Sequence, residues 1–303
     1  MSNLNVNIAG VTLKNPIIGA SGTYGFGEEL EQFYPNDMIG GISGKGLTLE
    51  KRLGNPPPRI AETASGMLNS VGLQNPGIDY YIEEILPRIQ GKGAAIIANV
   101  AADCSENYGK IVEKLQNTSV DIIEVNISCP NVHEGGIPFG SRPEAVKQIT
   151  AVAKQASPKK PIMMKLSPNV ADIREAAQAA EEGKADAISL INTLTGMAID
   201  VHSRKPILRN VIGGLSGPAI KPVALRMVYQ ACQVVNIPVV GGGGIYTGTD
   251  ALEFMICGAT AVQVGAANMT NPYACVTILE EIKDYLIEHQ IENMTDLIDT
   301  LEV

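Results

Sequence analysis

What most constrains this chain is an alternation that runs through nearly all of it: eight short β-rich stretches separated by stretches of helical periodicity. Strands are expected at residues 15–20 (NPIIGA), 38–45 (MIGGISGK), 94–100 (AAIIANV) and 121–129 (DIIEVNISC). Four more are expected at 161–167 (PIMMKLS), 187–193 (AISLINT), 238–243 (PVVGGG) and 261–267 (AVQVGAA). These are continuous apolar runs, not strict alternations, as strands covered on both faces require. Amphipathic segments lie between them at 78–89, 105–115, 143–155, 173–182, 218–234, 249–256 and 272–289, with a shorter one at 28–33. Such a series predicts an α/β fold, a closed (β/α)8 TIM barrel, with a doubly wound open sheet as the alternative. The length of 303 residues suits one barrel with additions, and no composition break divides residues 1–303 into two domains. Two additions are expected: an N-terminal hairpin over 4–13, turning at Ala9-Gly10, and a long insertion after strand six, 194–217.

The net charge of −9 argues against nucleic acid or an anionic membrane as the main partner. Residues 1–10 (MSNLNVNIAG) lack the basic and apolar regions of a signal peptide, and no apolar run approaches the ~18 residues of a membrane helix, so a cytoplasmic protein is expected. The five cysteines contain no C-x-x-C pair, so neither a metal site nor an iron–sulfur cradle is expected in this chain. No G-x-G-x-x-G follows a strand, so a dinucleotide bound in Rossmann fashion is not expected. His133, His202 and His289 have no metal-ligand spacing and read as loop or surface residues.

In barrels the reactive face is formed by the carboxyl ends of the strands. Unusual residues fall there in one expected strand after another: Ser21, Lys45, Asn99, Asn126 with Cys129, Lys165, Asn192 with Thr193, Gly243 and Gly265. Lys165 sits among Ile162, Met163, Met164 and Leu166, so it needs an anionic or polar partner unless it snorkels to the rim. Lys45 is flanked by Gly44 and Gly46, which permit close approach to a ligand or form only a solvent-facing turn. Glycines at the ends of strands seven and eight suit a phosphate cradle of backbone N–H groups, or simply tight turns. Cys129 reads either as a general base or as an inert buried thiol. Asn69, Asn126, Asn131 and Asn192 each carry a donor and an acceptor, which suits the edge of a pyrimidine ring as well as an Asx turn.

The motifs at 126–140 (NISCPNVHEGGIPFG), 69–77 (NSVGLQNPG), 43–47 (SGKGL) and 238–244 (PVVGGGG) resemble the class 1B, NAD-linked dihydroorotate dehydrogenase catalytic subunits, end to end. Cysteine in the 126–140 motif resembles class 1, since class 2 relatives use serine. His133 departs from the lysine that the resemblance leads one to expect. The resemblance implies oxidation of dihydroorotate to orotate in pyrimidine biosynthesis. Cys129 would be the catalytic base, and Lys165 would stabilise the charge that builds on the cofactor. Substrate would be held by Lys45, by the loop Asn69, Ser70, Val71, Gly72 and Leu73, and by Asn126, Asn131, Asn192 and Thr193. FMN would meet Ala20, Ser21, Lys45, Gly46, Asn99, Asn126, Lys165, Ile191, Gly217, Gly243, Gly244, Gly265 and Ala266. Partners would be a second copy of this chain and two electron-transfer subunits carrying FAD and a [2Fe–2S] cluster, a heterotetramer that reduces NAD+. The competing readings are a class 1A-type homodimer that reduces fumarate, a non-redox phosphate-binding barrel and an inactive binding scaffold.

Overall fold

The computed structural model describes residues 2–127, 133–134 and 137–302. Eight parallel strands close into a barrel in sequence order: Ile17–Gly19, Gly41–Ser43, Ala95–Val100, Ile122–Asn126, Ile162–Lys165, Ala187–Leu190, Val239–Gly242 and Ala261–Val264. The eighth strand pairs with the first, Val262 opposite Ile17, so no edge is left open and the doubly wound alternative is excluded. We number these barrel strands one to eight below. Their side chains are buried almost throughout, as expected of strands lying between a filled interior and a coat of helices.

The helices follow from their apolar spacing. In Ser105–Leu115, Tyr108, Ile111, Val112 and Leu115 are buried, one face at spacings of three and four. Asp172 caps Ile173–Glu182 by accepting from the Arg174 backbone N–H, and Thr247 with Asp250 forms a capping box on Gly248–Ile256. The expected helix at 78–89 forms with a wider π turn over Tyr81–Ile85, next to Pro87, which has no N–H to donate.

The stretch 28–33 is not helical, contrary to its periodicity; it is a series of turns. Six residues after Gly25 and Gly27, both at positive φ, are too few to nucleate a helix, and the Glu29 carboxylate instead accepts the Phe26 backbone N–H. Ion pairs of Glu28 with Arg88 and of Glu31 with Lys92 hold the segment to the following helical region.

The N-terminal hairpin pairs Val6–Ile8 with Val11–Leu13, and Ala9 (φ 52°) and Gly10 (φ 89°) supply the left-handed turn. It sends Val6, Ile8 and Leu13 into the main core. The insertion after strand six is also present, as the antiparallel pair Leu194–Met197 and Ile212–Ser216. A hairpin of Ile60–Thr63 and Gly66–Asn69, which the sequence did not announce, pairs with it, Asn69 lying opposite Gly214. Two excursions 145 residues apart thus become one four-stranded sheet, with Ala61, Leu68 and Leu208 as its own small core.

Candidate active site

One cleft lies at the carboxyl ends of the barrel strands, walled on one side by residues of the four-stranded sheet. Strand register sets its floor. Lys165 ends strand five and lies level with Asn126 of strand four and Ser189 of strand six. Asn99 of strand three lies level with Glu124, and Gln263 of strand eight with Gly242.

These side chains form a buried polar network. The Glu124 carboxylate accepts from Ser43 Oγ at 2.7 Å, Asn99 Nδ2 at 2.6 Å, Ser189 Oγ at 2.7 Å and Gln263 Nε2 at 2.6 Å. Lys165 Nζ donates to Gln263 Oε1 at 2.8 Å and stands 3.8 Å from Glu124 Oε2. The lysine therefore has polar and anionic partners and is 7% exposed, which removes the snorkelling reading. Burial opposes ionisation of Glu124, but the charge of Lys165 and the donated hydrogen bonds outweigh it and hold its pKa below the usual carboxylate range.

The rim is built from loops. Asn55 braces the 69–73 loop, its Nδ2 donating to Ser70 O at 2.8 Å and its N–H to Val71 O at 2.9 Å. Asn69 Nδ2 donates to Gly214 O at 3.3 Å, and the Thr193 N–H to Asn192 Oδ1 at 2.8 Å. Ser70 Oγ is buried without a hydrogen-bond partner among the described residues and lies on the cleft wall. His202 and His289 lie on the surface, away from this lining, and His289 stacks on Tyr285 at 4.0 Å.

The glycines separate into two kinds. Gly217, Gly243 and Gly244 sit at φ 105°, 124° and 79°, and a Cβ on them would come within 2.5 Å of Gly66, 2.8 Å of Ala224 and 2.8 Å of Lys221, respectively. Packing alone demands glycine at these three positions. Gly265 has no such need: a Cβ there meets only Ala20, at 3.6 Å. Among the described residues, the backbone N–H groups of Gly243, Gly244, Gly265 and Ala266 donate to no carbonyl or side chain, and all four residues line the cleft. N–H groups without an acceptor among the described residues, on the cleft lining after strands seven and eight, fit a phosphate, and the broad polar floor fits a planar heteroaromatic ring.

The structure brings together Lys165, Lys45, Asn69, Ser70, Val71, Gly72, Leu73, Asn126, Asn192 and Thr193 around this cleft. Ala20, Ser21, Gly46, Asn99, Ile191, Gly217, Gly243, Gly244, Gly265 and Ala266 line it as well. Cys129 and Asn131 lie outside the described residues. Sequence reasoning missed Glu124, Gln263, Ser43 and Ser189. Their signal was available: each is a polar residue inside an apolar strand run, and an inward-facing polar group in a barrel needs partners from other strands. It also missed the contribution of Ile60, Met67, Gly214 and Ser216, which depends on pairing between distant segments. No group of three or more His, Cys, Asp or Glu suited to a metal ion occurs among the described residues.

A closed parallel barrel with such a cleft at the carboxyl ends of its strands has the architecture of the (β/α)8 enzymes. Its fold resembles a crystal structure of DHODH from Eimeria tenella in complex with ferulenol, with a TM-score of 0.81 at 22% identity, covering 98% of this chain and 88% of that one. Residues 3–286 match the family model for dihydroorotate dehydrogenase. The chain is 52% identical to "Dihydroorotate dehydrogenase B (NAD(+)), catalytic subunit" of Alkaliphilus oremlandii, over 99% of each. It is 51% identical to the protein of the same name from Geobacter sulfurreducens, over 99% of this chain and 98% of that one. The chain belongs to the dihydroorotate dehydrogenase family.

Proposed function

We propose that this chain oxidises dihydroorotate to orotate in pyrimidine biosynthesis, using FMN held in the strand-end cleft, and that a partner subunit relays the electrons to NAD+. The observation that carries this reading is the cleft itself. It pairs a buried lysine and amide-rich floor with backbone N–H groups on the same lining that have no acceptor among the described residues. Relatives at about 50% identity over essentially the whole chain support it, since they carry the name of an NAD(+)-linked catalytic subunit. Bound FMN supplies the acceptor for the hydride that leaves C6 of dihydroorotate.

The chain's own groups divide the remaining work. Cys129 removes the C5 proton. Lys165 places positive charge where negative charge accumulates during the transfer, and the rigid network around Glu124 keeps it there at no reorganisation cost. Asn69, Asn126, Asn131 and Asn192 present donors and acceptors to the pyrimidine edge, with Thr193 and Lys45 beside them, Lys45 facing the substrate carboxylate. The backbone N–H groups at 243, 244, 265 and 266 hold the phosphate of FMN.

Mass spectrometry of the supernatant from heat-denatured protein is the first test, and FMN released without a covalent link is the expected result. FAD, or no flavin at all, would remove the reading. Gly265→Ala tests the cradle separately from the fold. Its Cβ meets no strained contact, so the thermal midpoint of the flavin-free protein should stay near wild type while flavin retention falls. Wild-type flavin content in that variant would take Gly265 out of the phosphate site.

The NAD+ arm rests on a second subunit carrying FAD and a [2Fe–2S] cluster, two such subunits joining two of these chains in the cytoplasm. No helix among the described residues is long and apolar enough to cross a membrane. The isolated chain should reduce a dye acceptor with dihydroorotate but leave NAD+ unreduced. Robust NAD+ turnover by the chain alone would contradict the division of labour, and turnover with fumarate would favour the class 1A type of homodimer.

A further inference from the structure

Glu124 is a carboxylate in the middle of an apolar strand, fully buried inside the barrel. Groups from five other strands surround it: Ser43 from the second, Asn99 from the third, Lys165 from the fifth, Ser189 from the sixth and Gln263 from the eighth. Such a position is costly unless every lone pair is used and the charge is matched. Both conditions are met, with four donors and one ammonium group.

An ionised carboxylate only accepts, so it dictates which way its two amide neighbours face. Gln263 turns its Nε2 toward Glu124, which leaves Oε1 to accept from Lys165 Nζ. Asn99 turns its Nδ2 toward Glu124, which leaves Oδ1 to accept from Asn126 Nδ2 at 3.5 Å. Lys165 and Asn126 both line the cleft, whereas Glu124 does not. A neutral amide at position 124 would offer a donor where all its partners donate. Restoring the pairing would flip a neighbouring amide and turn its NH2 group toward Lys165 or Asn126.

We propose that Glu124 is a positioning residue for the cleft: acting through Gln263 and Asn99 it orients Lys165 and Asn126, and its own charge limits the positive charge that the site presents to an electron-rich ring. The redox part of this proposal rests on the flavin reading above; the coupling of Glu124 to Lys165 does not.

The test uses Glu124→Gln, Glu124→Asp, Lys165→Met and the double variant Glu124→Gln/Lys165→Met. With flavin bound, Glu124→Gln is expected to move the flavin midpoint potential in the positive direction, because a negative charge beneath the site has been removed. Glu124→Asp keeps that charge and should stay nearer wild type, a rescue that a purely space-filling role does not predict. An unchanged or lowered potential in Glu124→Gln, or equal shifts in both variants, overturns the proposal. The thermal midpoints of the same proteins as purified form a double-mutant cycle. Lys165→Met should lower the midpoint less in the Glu124→Gln background than in wild type, and additive shifts overturn the coupling. If Glu124→Gln alone does not fold, recovery of folded protein in the double variant supports the proposal and failure to recover it counts against it. Wild-type protein that carries no flavin would refute the functional reading and leave the cycle to decide the role of Glu124.

Discussion

Cys129→Ala is expected to keep its flavin and to bind orotate, yet to reduce the flavin about 10²–10⁴-fold more slowly with dihydroorotate, the usual cost of losing a positioned base. The asparagines and Lys45, which are proposed to hold the substrate, remain in this variant, so binding and chemistry would separate. The thiolate is the competent form, and a free cysteine ionises near pH ~8.5. Wild-type flavin reduction should therefore climb as pH rises through the thiol's ionisation and level off above it. Cys129→Ser should recover some activity only at high pH, because a hydroxyl without an activating partner is a much weaker base. Anaerobic stopped-flow traces of all three proteins across pH decide the matter. Equal rates in wild type and Cys129→Ala at every pH would leave Cys129 as a simple thiol in the 126–140 motif.

Lys165→Ala carries the second large effect. Removing one preorganised electrostatic group from a transition state typically slows a reaction by about 10²–10³-fold. The geometry gives this loss a second component. Lys165 is the cation 3.8 Å from the buried Glu124 carboxylate, so its removal leaves a buried charge with hydrogen bonds but no counter-charge. Breaking one side of a buried pair commonly costs about 3–5 kcal/mol, and the four donors that remain on Glu124 place this case toward the lower end. The variant should thus show both a reduced thermal midpoint and slower flavin reduction. Flavin content, midpoint and reduction rate measured on one preparation distinguish the effects. A normal reduction rate in folded, flavin-loaded protein would remove Lys165 from the chemistry.

Much of the architecture was already legible in the chain. Eight apolar runs and the helices between them are local patterns, and each expected strand overlaps an observed barrel strand because burial on both faces leaves a mark within a few residues. The hairpin at Ala9-Gly10 was readable for the same reason, since a left-handed turn restricts residue choice at the turn itself. The short segment at 28–33 misled because its spacing suggested a helix, whereas the neighbouring glycines and the Glu29 side chain committed the backbone to turns. Lys165, Asn126, Asn99 and Lys45 stood out because a polar residue closing an apolar strand in a barrel points to the reactive face.

The repeating β/α order, the closed barrel it favours and the end of the barrel where chemistry gathers are therefore written in local residue patterns. How polar groups pair across strands was set by the closed barrel. That Glu124 meets Ser43, Asn99, Ser189 and Gln263, and that Gln263 rather than a carboxylate makes the direct bond to Lys165, follows from barrel register and from the orientation of two amides. The joining of Gly66–Asn69 to Ile212–Ser216 into one wall of the cleft is of the same kind. Periodicity is a property of neighbouring residues, whereas these contacts link residues 25 to 149 positions apart, and their energy depends on distances and donor directions that exist only once the barrel has closed.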